Sequence, residues 1–430
     1  MRLAPISLSG RTVPDRRIGM LEHLLGNYPK RDFQVRFWDG LVWGSDPLPS
    51  FTLILKNPQA LEAIGLSPSE LALGEAYVRG DFEVDGDIEA AFDLADHFLQ
   101  RDAPAGEASP LRKHWLRWVP HDTPSNVLPF LTLSGYLHSR DRDRQAVTYH
   151  YDLPSEFYAL WLDSRMVYSC AYFQTPDDSL DTAQQRKLEY LCRKLRLRRG
   201  DRLLDIGCGW GSLVMHAAAN HGAHALGITL SERQAEWAQR QIRALGLDSR
   251  CRVEVRDYRD LDSAQAFDKI VSVGMFEHVG EAKLPEYFRQ AWKLLCPGGV
   301  FLNHGISYSA TYRRHGLSFI DRYVFPDGDL VPINTTLRIA EQSNFEVRDV
   351  ESLREHYALT LRHWLSRLES RSEEARRITS DATYRIYRIY LAGAAHAFRR
   401  GRINLYQTLL AKPVQGVSGF PLTRDDWYRA

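Results

Sequence analysis

From Arg202 onward, short apolar runs alternate with longer segments whose apolar positions recur every three or four residues. RLLDIG reads as a strand, Ser212–His221 as a helix, HALGITL as a strand and Glu232–Leu245 as a helix. CRVEVRD, KIVSVG and VFLNHGI read as further strands, with KLPEYFRQAWKLL a helix before the last of them. Apolar strands separated by helices predict a parallel sheet covered on both faces. Phe345–Val350 is another strand candidate, followed by a long helical insertion to about Gly401 and a strand-like YQTLLAKPV. That order predicts an α/β domain built on a seven-stranded sheet, with helices inserted late.

The pattern upstream is different. Residues 1–100 mix a strand-like FTLILKN, a helical pattern from Ser67 and the acidic DFEVDGDIEAAFDLAD, which together predict a small α+β domain. Residues 101–144 shift to RDAPAGEASP, the basic-aromatic LRKHWLRWVP and HDTPSN, and read as a linker before a second domain over 145–430. Leu111–Pro120 reads as a partly buried linker helix, with a membrane-surface segment the alternative. A chain of 430 residues is long enough for two domains.

Composition narrows the function classes. A net charge of +1 gives no whole-molecule attraction to nucleic acid, so none is expected as a partner. The N-terminus lacks the apolar core of a signal peptide and no run is long and apolar enough to span a bilayer, which predicts a cytoplasmic protein. Five cysteines, without a C-x-x-C spacing, argue against a disulfide framework and a zinc site, and no metal is expected.

LLDIGCGWGSL sets Asp205, Gly207, Gly209 and Gly211 between the first strand and the helix after it. Glycines there let a ligand approach the backbone, and the helix start offers free N–H groups. The dinucleotide fingerprint wants its third glycine one residue later, where Ser212 stands. D-x-G-x-G-x-G at the first strand of an alternating sheet instead resembles the S-adenosylmethionine site of class I methyltransferases. After the second strand, GITLSERQ offers Thr229, Ser231 and Gln234 for ribose hydroxyls, with Glu232 a substitute. The same letters also read as a helix N-cap at Ser231 with Gln234 completing a capping box. RDYRDL puts Asp257, Tyr258 and Arg259 where an adenine would lie, or forms a solvated charged turn.

Read in order, TYHYDLPSEFYALWLDSRMVYSCAYF, LLDIGCGWGS, GITLSERQ, GMFEHVG and FLNHGI resemble cyclopropane-fatty-acyl-phospholipid synthases and the related mycolic acid methyltransferases. The resemblance covers about Val147 to Pro413, and ALGEAYVRGDFEVDG resembles the smaller N-terminal domain of two-domain members. It implies a Rossmann-like class I fold with a helical lid insertion, and S-adenosylmethionine and bicarbonate as cofactors. Carried over residue by residue, Tyr168 and Ser169 would contact the cofactor while Cys170, Glu277, His304, Ile306 and Tyr357 would cage the bicarbonate. Thr229, Leu230, Ser231 and Gln234 would hold the nucleoside, with Tyr258 and Arg259 beside the adenine.

The chemistry so implied adds a methylene across a cis double bond of a phospholipid acyl chain. An alkene attacks only a strongly electrophilic methyl, and the resulting carbocation needs a dry, electron-rich cage and a base. Tyr168, Tyr172, Phe173 and Tyr323 are the aromatic candidates for the cage. Against this, Cys170 alone reads as an inert buried thiol and His304 as a hydrogen-bonded core histidine. Ala382–Arg424 has basic residues and no acid, so it reads either as a basic amphipathic helix on anionic phospholipid or as a lid helix with internally paired arginines. The expected partner is an unsaturated phospholipid acyl chain reached peripherally at the inner face of the membrane, and a homodimer stays open.

Overall fold

The computed structural model describes residues 16–44, 48–65, 69–99, 133–151, 153–262, 264, 266–311 and 318–428. The chain divides into two compact units, Met1–Val127 and Leu128–Ala430. Leu111–Pro120 lies outside the described residues.

In the first unit, strands β1 (Phe33–Arg36), β2 (Val42–Trp43), β3 (Phe51–Leu55) and β4 (Phe82–Gly86) form a sheet of order β2-β1-β3-β4. β1 and β3 run parallel, while β3 and β4 pair antiparallel with Leu53 opposite Val84. Helices α1 (Arg16–Leu25), α2 (Gln59–Gly65), α3 (Glu70–Arg79) and α4 (Ile88–Leu99) complete a small α+β unit. α3 starts where the Ser69 hydroxyl accepts from the Ala72 N–H and stops at left-handed Gly80, which needs no Cβ there.

In the second unit, seven strands are ordered β10-β11-β9-β8-β5-β6-β7. They are β5 (Arg202–Ile206), β6 (His224–Thr229), β7 (Cys251–Val255), β8 (Phe267–Val273), β9 (Leu295–Tyr308), β10 (Glu346–Ser352) and β11 (Ile403–Ala411). β5 lies parallel to both β6 and β8, and β9 continues parallel, whereas β11 is antiparallel to β9 and β10. Four of the five β5 residues are buried, as a strand covered on both faces requires.

The helices are α5 (Arg140–Tyr151), α6 (Ser155–Ala159), α7 (Leu180–Lys194), α8 (Ser212–His221), α9 (Glu232–Ala244), α10 (Leu284–Leu294), α11 (Phe319–Tyr323) and α12 (Ile333–Gln342). α13 (Arg354–Ser370), α14 (Ser372–Ile378) and α15 (Asp381–Arg399) form the expected late insertion, and α16 (Asp425–Tyr428) ends the described chain. One core joins α7, α8 and α9 through Leu191, Val214 and Ala238 to Leu203, and the other joins α10 through Phe288 to Leu204 and Phe301. The chain order reverses between β5 and β8, so their carboxyl ends flank the crevice where open parallel sheets bind ligands. The linker expected to reach residue 144 is shorter at its end: α5 begins at Arg140, and its Asp143 already lines the pocket at that crevice.

Candidate active site

The glycine loop divides its labour among three residues. Gly207 has φ +83, and a Cβ on it would lie 2.6 Å from Met275 Cβ at the end of β8. Gly209 has φ +54 with nothing within 4 Å of a Cβ, so it leaves bare backbone facing the pocket it lines. Gly211, at φ +80, would push a Cβ to 3.0 Å from Ala238 Cβ, which makes it the contact that lets α8 pack on α9. Asp205, Gly207 and Gly209 are on the pocket wall, whereas Gly211 supports the wall from behind.

On the neighbouring strand, Thr229, Leu230 and Gln234 also line the pocket. The Thr229 hydroxyl donates to Gln234 Oε1 at 2.8 Å and accepts from the Ser231 N–H at 3.2 Å. Ser231 caps α9 by accepting from the Gln234 N–H, and it is not on the wall. The expected capping box does not form, because the Gln234 side chain turns toward Thr229 instead. Tyr258 and Arg259 are wall residues on a turn that is partly solvated, with Asp257 buried, Tyr258 and Arg259 half-buried and Asp260 exposed. Arg259 donates to Asp257 at 2.9 and 2.6 Å and to Asp143 at 2.9 Å. Its guanidinium braces the pocket rather than standing free for an adenine.

Tyr168 and Ser169 join the same wall. Ser169 accepts a 2.8 Å hydrogen bond from Lys187 Nζ, a lysine that sequence patterning does not mark as functional because lysines on amphipathic helices usually face solvent. Burial pulls Lys187 down to about 8, against the pull of Asp163, Cys170 and Asp205. Burial likewise pushes Asp205 up to about 7, with Lys187 opposing, and its Oδ1 has no hydrogen-bond partner.

Around Tyr168 stands an aromatic cage that the sequence pattern revealed only in part. Ring centroids lie at 5.2 Å for Trp161, 5.3 Å for Trp364, and 5.7 Å for both Tyr158 and His150. The Tyr168 hydroxyl meets that of Tyr390 at 3.4 Å. His150 of α5, Tyr158 of α6 and Trp161 of the turn after it belong to the same run as Tyr168, whereas Trp364 and Tyr390 reach in from α13 and α15, where no local motif announces them. The other aromatic candidates are elsewhere. Tyr172 stacks on Tyr190 and His356, Phe173 on His363, and Tyr323 against Phe319.

Of the five residues expected at an anion, Glu277, His304, Cys170 and Tyr357 are buried and Ile306 is half-buried; Glu277 follows β8, His304 and Ile306 lie near the end of β9, Tyr357 is on α13 and Cys170 is on the segment before α7, and none is on the wall of the pocket just described. Glu277 Oε1 accepts from the Ile306 N–H at 2.8 Å, while Oε2 has no partner. Burial raises Glu277 to about 7 against that bond. His304 lies opposite Gln407 in the β9–β11 register, and the Gln407 amide meets its Nδ1 at 3.2 Å. With that amide donating, Nε2 carries the proton, and it too has no partner. Burial holds His304 neutral, far below the ordinary histidine value.

Cys170 donates to the carbonyls of Ala171 and of Leu353, next to α13, and burial pushes its thiol up. A nucleophilic thiolate would need the reverse shift. Tyr357, on α13, is raised first by burial and then by Tyr390, Cys170 and Glu277, which puts these groups within electrostatic reach of one another.

The basic C-terminal stretch settles as a packed lid. Tyr384, Tyr387, Tyr390 and Leu391 of α15 are buried. Arg385 pairs with Asp381, Arg388 with Glu369 and Arg424 with Asp349. These pairs accord with the lid-helix reading for Arg385, Arg388 and Arg424.

Comparison with known proteins agrees with this architecture. The family described as "Mycolic acid cyclopropane synthetase" matches residues 138–408, and a domain family of unknown function matches residues 20–102. A probable fatty acid methyltransferase of Pseudomonas putida is 41% identical over 92% of this chain and 96% of its own. The cyclopropane-fatty-acyl-phospholipid synthase of Escherichia coli K12 is 34% identical over 84% of this chain and 88% of its own. Among solved structures, the cyclopropane synthase MmaA2 from Mycobacterium tuberculosis superposes with a TM-score of 0.60 at 34% identity, covering 62% of this chain and 97% of that one. The mycolic acid cyclopropane synthase CmaA1, complexed with S-adenosylhomocysteine, gives 0.59 at 35% identity, covering 62% and 97%. The chain belongs to the mycolic acid cyclopropane synthetase family of S-adenosylmethionine-dependent lipid methyltransferases.

Proposed function

We propose that this chain adds a methylene group to the cis double bond of an unsaturated phospholipid acyl chain and closes a cyclopropane ring. The observation that carries the reading is the pair of buried, unpartnered polar atoms, Glu277 Oε2 and His304 Nε2, deep in the unit beyond the cofactor wall. Buried polar groups without partners are expensive, so such a pair suits a small hydrogen-bonding ligand.

S-adenosylmethionine supplies an electrophilic methyl: the alkene π pair forms the new C–C bond, the C–S pair leaves with sulfur, and S-adenosylhomocysteine remains. Asp205, with its open Oδ1, would receive the amino acid moiety, and Thr229 with Gln234 the ribose. The rings of Tyr168, Trp161, Trp364 and Tyr158 would face the cation left on the acyl chain, favouring it through their negative quadrupoles and keeping water away. Ring closure then needs a proton removed from the new methyl group, whose C–H pair becomes the closing bond. A bound bicarbonate would supply that general base. The residues fit such an ion, since His304 Nε2–H is an unpartnered donor. A Glu277 poised at about 7 reaches its acid form near neutrality and can then donate as well.

Among the described residues no helix is long and apolar enough to cross a membrane. A phospholipid acyl-chain substrate would bring the enzyme to the bilayer surface. A methyl branch without ring closure is the second reading, favoured by the 41% identical relative named a probable fatty acid methyltransferase. Incubation with S-adenosylmethionine and vesicles of monounsaturated phospholipid, followed by mass spectrometry and proton NMR of the released fatty acids, separates the two. A gain of one CH2 with upfield ring protons is the expected result. An olefinic or methyl-branch signal in place of ring protons would overturn ring closure.

A further inference from the structure

Cys192 of α7 and His216 and His221 of α8 each offer one potential ligand atom. The three atoms lie within 4.8 Å of one another. We propose that these residues form a transition-metal site fitted to Zn2+, with the Glu189 carboxylate placed to take the fourth position. Two imidazoles, a thiol and a carboxylate make a borderline-soft, tetrahedral donor set. The spacing is wider than the roughly 3.5 Å edge of a tetrahedron on zinc bonds of about 2.0–2.3 Å, so small side-chain rotations would close it.

Glu189 already organises the cluster. Its Oε2 meets His216 Nε2 at 3.2 Å and His221 Nε2 at 3.0 Å, and its Oε1 accepts from Arg193 at 2.9 Å. The Asn220 amide, 3.0 Å from His216 Nδ1, is the remaining polar neighbour.

Access and depth also suit an ion. The side chains of His216, His221 and Glu189 are 11, 19 and 31% exposed, while Cys192 is fully buried beneath them. A cation can enter from solvent and find the sulfur as the floor of the site. Metal binding would expel the Cys192 thiol proton to solvent as the metal–sulfur bond forms. Such an ion would staple α8, which leads out of the glycine loop, to α7, which carries Lys187 and also Gln184, whose amide donates to Ser169 O at 2.8 Å. The ligands are divided between two helices without a C-x-x-C, which is why the sequence gives no metal signature and none was expected from it.

The test is titration of the chelator-treated full-length protein with Co2+. The expected result is saturation at one equivalent, with a thiolate-to-cobalt charge-transfer band that Zn2+ bleaches, and a higher melting temperature with Zn2+ than with chelator. Cys192→Ser should remove the band. His221→Gln and Glu189→Gln, at the exposed side, should weaken Co2+ binding at least tenfold while keeping the circular dichroism of the parent, so the test stands even where Cys192→Ser fails to fold. A titration without the band, or binding unchanged in His221→Gln, overturns the proposal.

Discussion

Two polar regions lie at the carboxyl edge of one sheet, and they are built on opposite principles. Along β5 and β6 the hydrogen bonds are nearly closed: Thr229, Ser231 and Gln234 satisfy one another, Arg259 is held by two carboxylates, and only Asp205 Oδ1 is open. At the ends of β8 and β9, Glu277 Oε2 and His304 Nε2 are both buried and open. The first region is a preformed cradle that needs little from its ligand, and the second is unfinished without one. A binding surface and a reactive centre differ in this way, because leaving buried polar groups unpaired is tolerable only where a ligand or a proton completes them.

The largest expected break in that contrast is Glu277→Gln. The carboxamide keeps the acceptor for Ile306 N–H but cannot exchange a proton with the bicarbonate that would serve as base, so turnover should fall by about 10²–10⁴, the range for a disabled general acid–base step. Calorimetry should find S-adenosylmethionine affinity changed less than about threefold, because the β5–β6 cradle is untouched. Equal losses in turnover and affinity would make Glu277 a structural residue and erase the distinction.

The same substitution has a stability signature with the opposite sign. Burial raises Glu277 from 4.5 to about 7, so the folded state binds a proton more tightly than the unfolded chain does. The folded form then loses stability as pH rises from about 4.5 to 7, by up to about 3 kcal/mol at 1.36 kcal/mol per unit. Glu277→Gln should match the wild type in denaturant unfolding near pH 4.5 and exceed it above pH 7. A variant less stable at pH 8 would mean that the carboxylate is already satisfied there.

The two regions were unequally legible in the sequence. The cradle is written in contiguous letters: the glycine loop, the strand that ends in GITL and the helix that begins at Glu232 were all located before any coordinate, because glycine geometry and apolar periodicity are local properties. The cage is not local. Tyr168 stands out in its run, but Trp161, Trp364, Tyr158 and His150 surround it from three helices and the turn after α6, and Tyr172 and Phe173, close to it in sequence, face other rings. Lys187 looked like a surface lysine, and the basic stretch around α15 looked equally suited to a membrane, because one sequence does not record which acids its arginines meet across the fold. Glu277, His304 and Tyr357 came through resemblance, and their openness to a ligand came only from coordinates.

A smaller effect separates two glycines of the cradle. Gly207→Ala should be the more disruptive, since its Cβ would sit 2.6 Å from Met275 Cβ on top of a left-handed backbone. A melting temperature lowered by the equivalent of about 1–3 kcal/mol is expected. Gly209→Ala meets no atom within 4 Å and should show only the backbone strain, about 1 kcal/mol. If its loss of S-adenosylmethionine affinity nonetheless exceeds its loss of stability, bare backbone at Gly209 is what the ligand approaches.

The substitution most specific to the cradle itself is Thr229→Val. The substitution keeps the β-branched shape in a strand position that is 5% exposed, and it removes one hydroxyl. That hydroxyl both donates to Gln234 Oε1 and accepts from the Ser231 N–H, so two buried partners lose a bond at once. Stability should drop by about 1–3 kcal/mol, the penalty for unmet buried polar groups. If S-adenosylmethionine hydrogen-bonds to Gln234, its binding should recover part of that loss, and the melting temperature of the variant should rise more on adding ligand than that of the wild type. An equal ligand-induced rise in both proteins would mean that the Thr229–Gln234 pair is internal bracing. The cofactor contacts on this side would then have to come from the pocket-lining backbone between them, and the cradle would be closed by its own groups to a degree that the inner region never is.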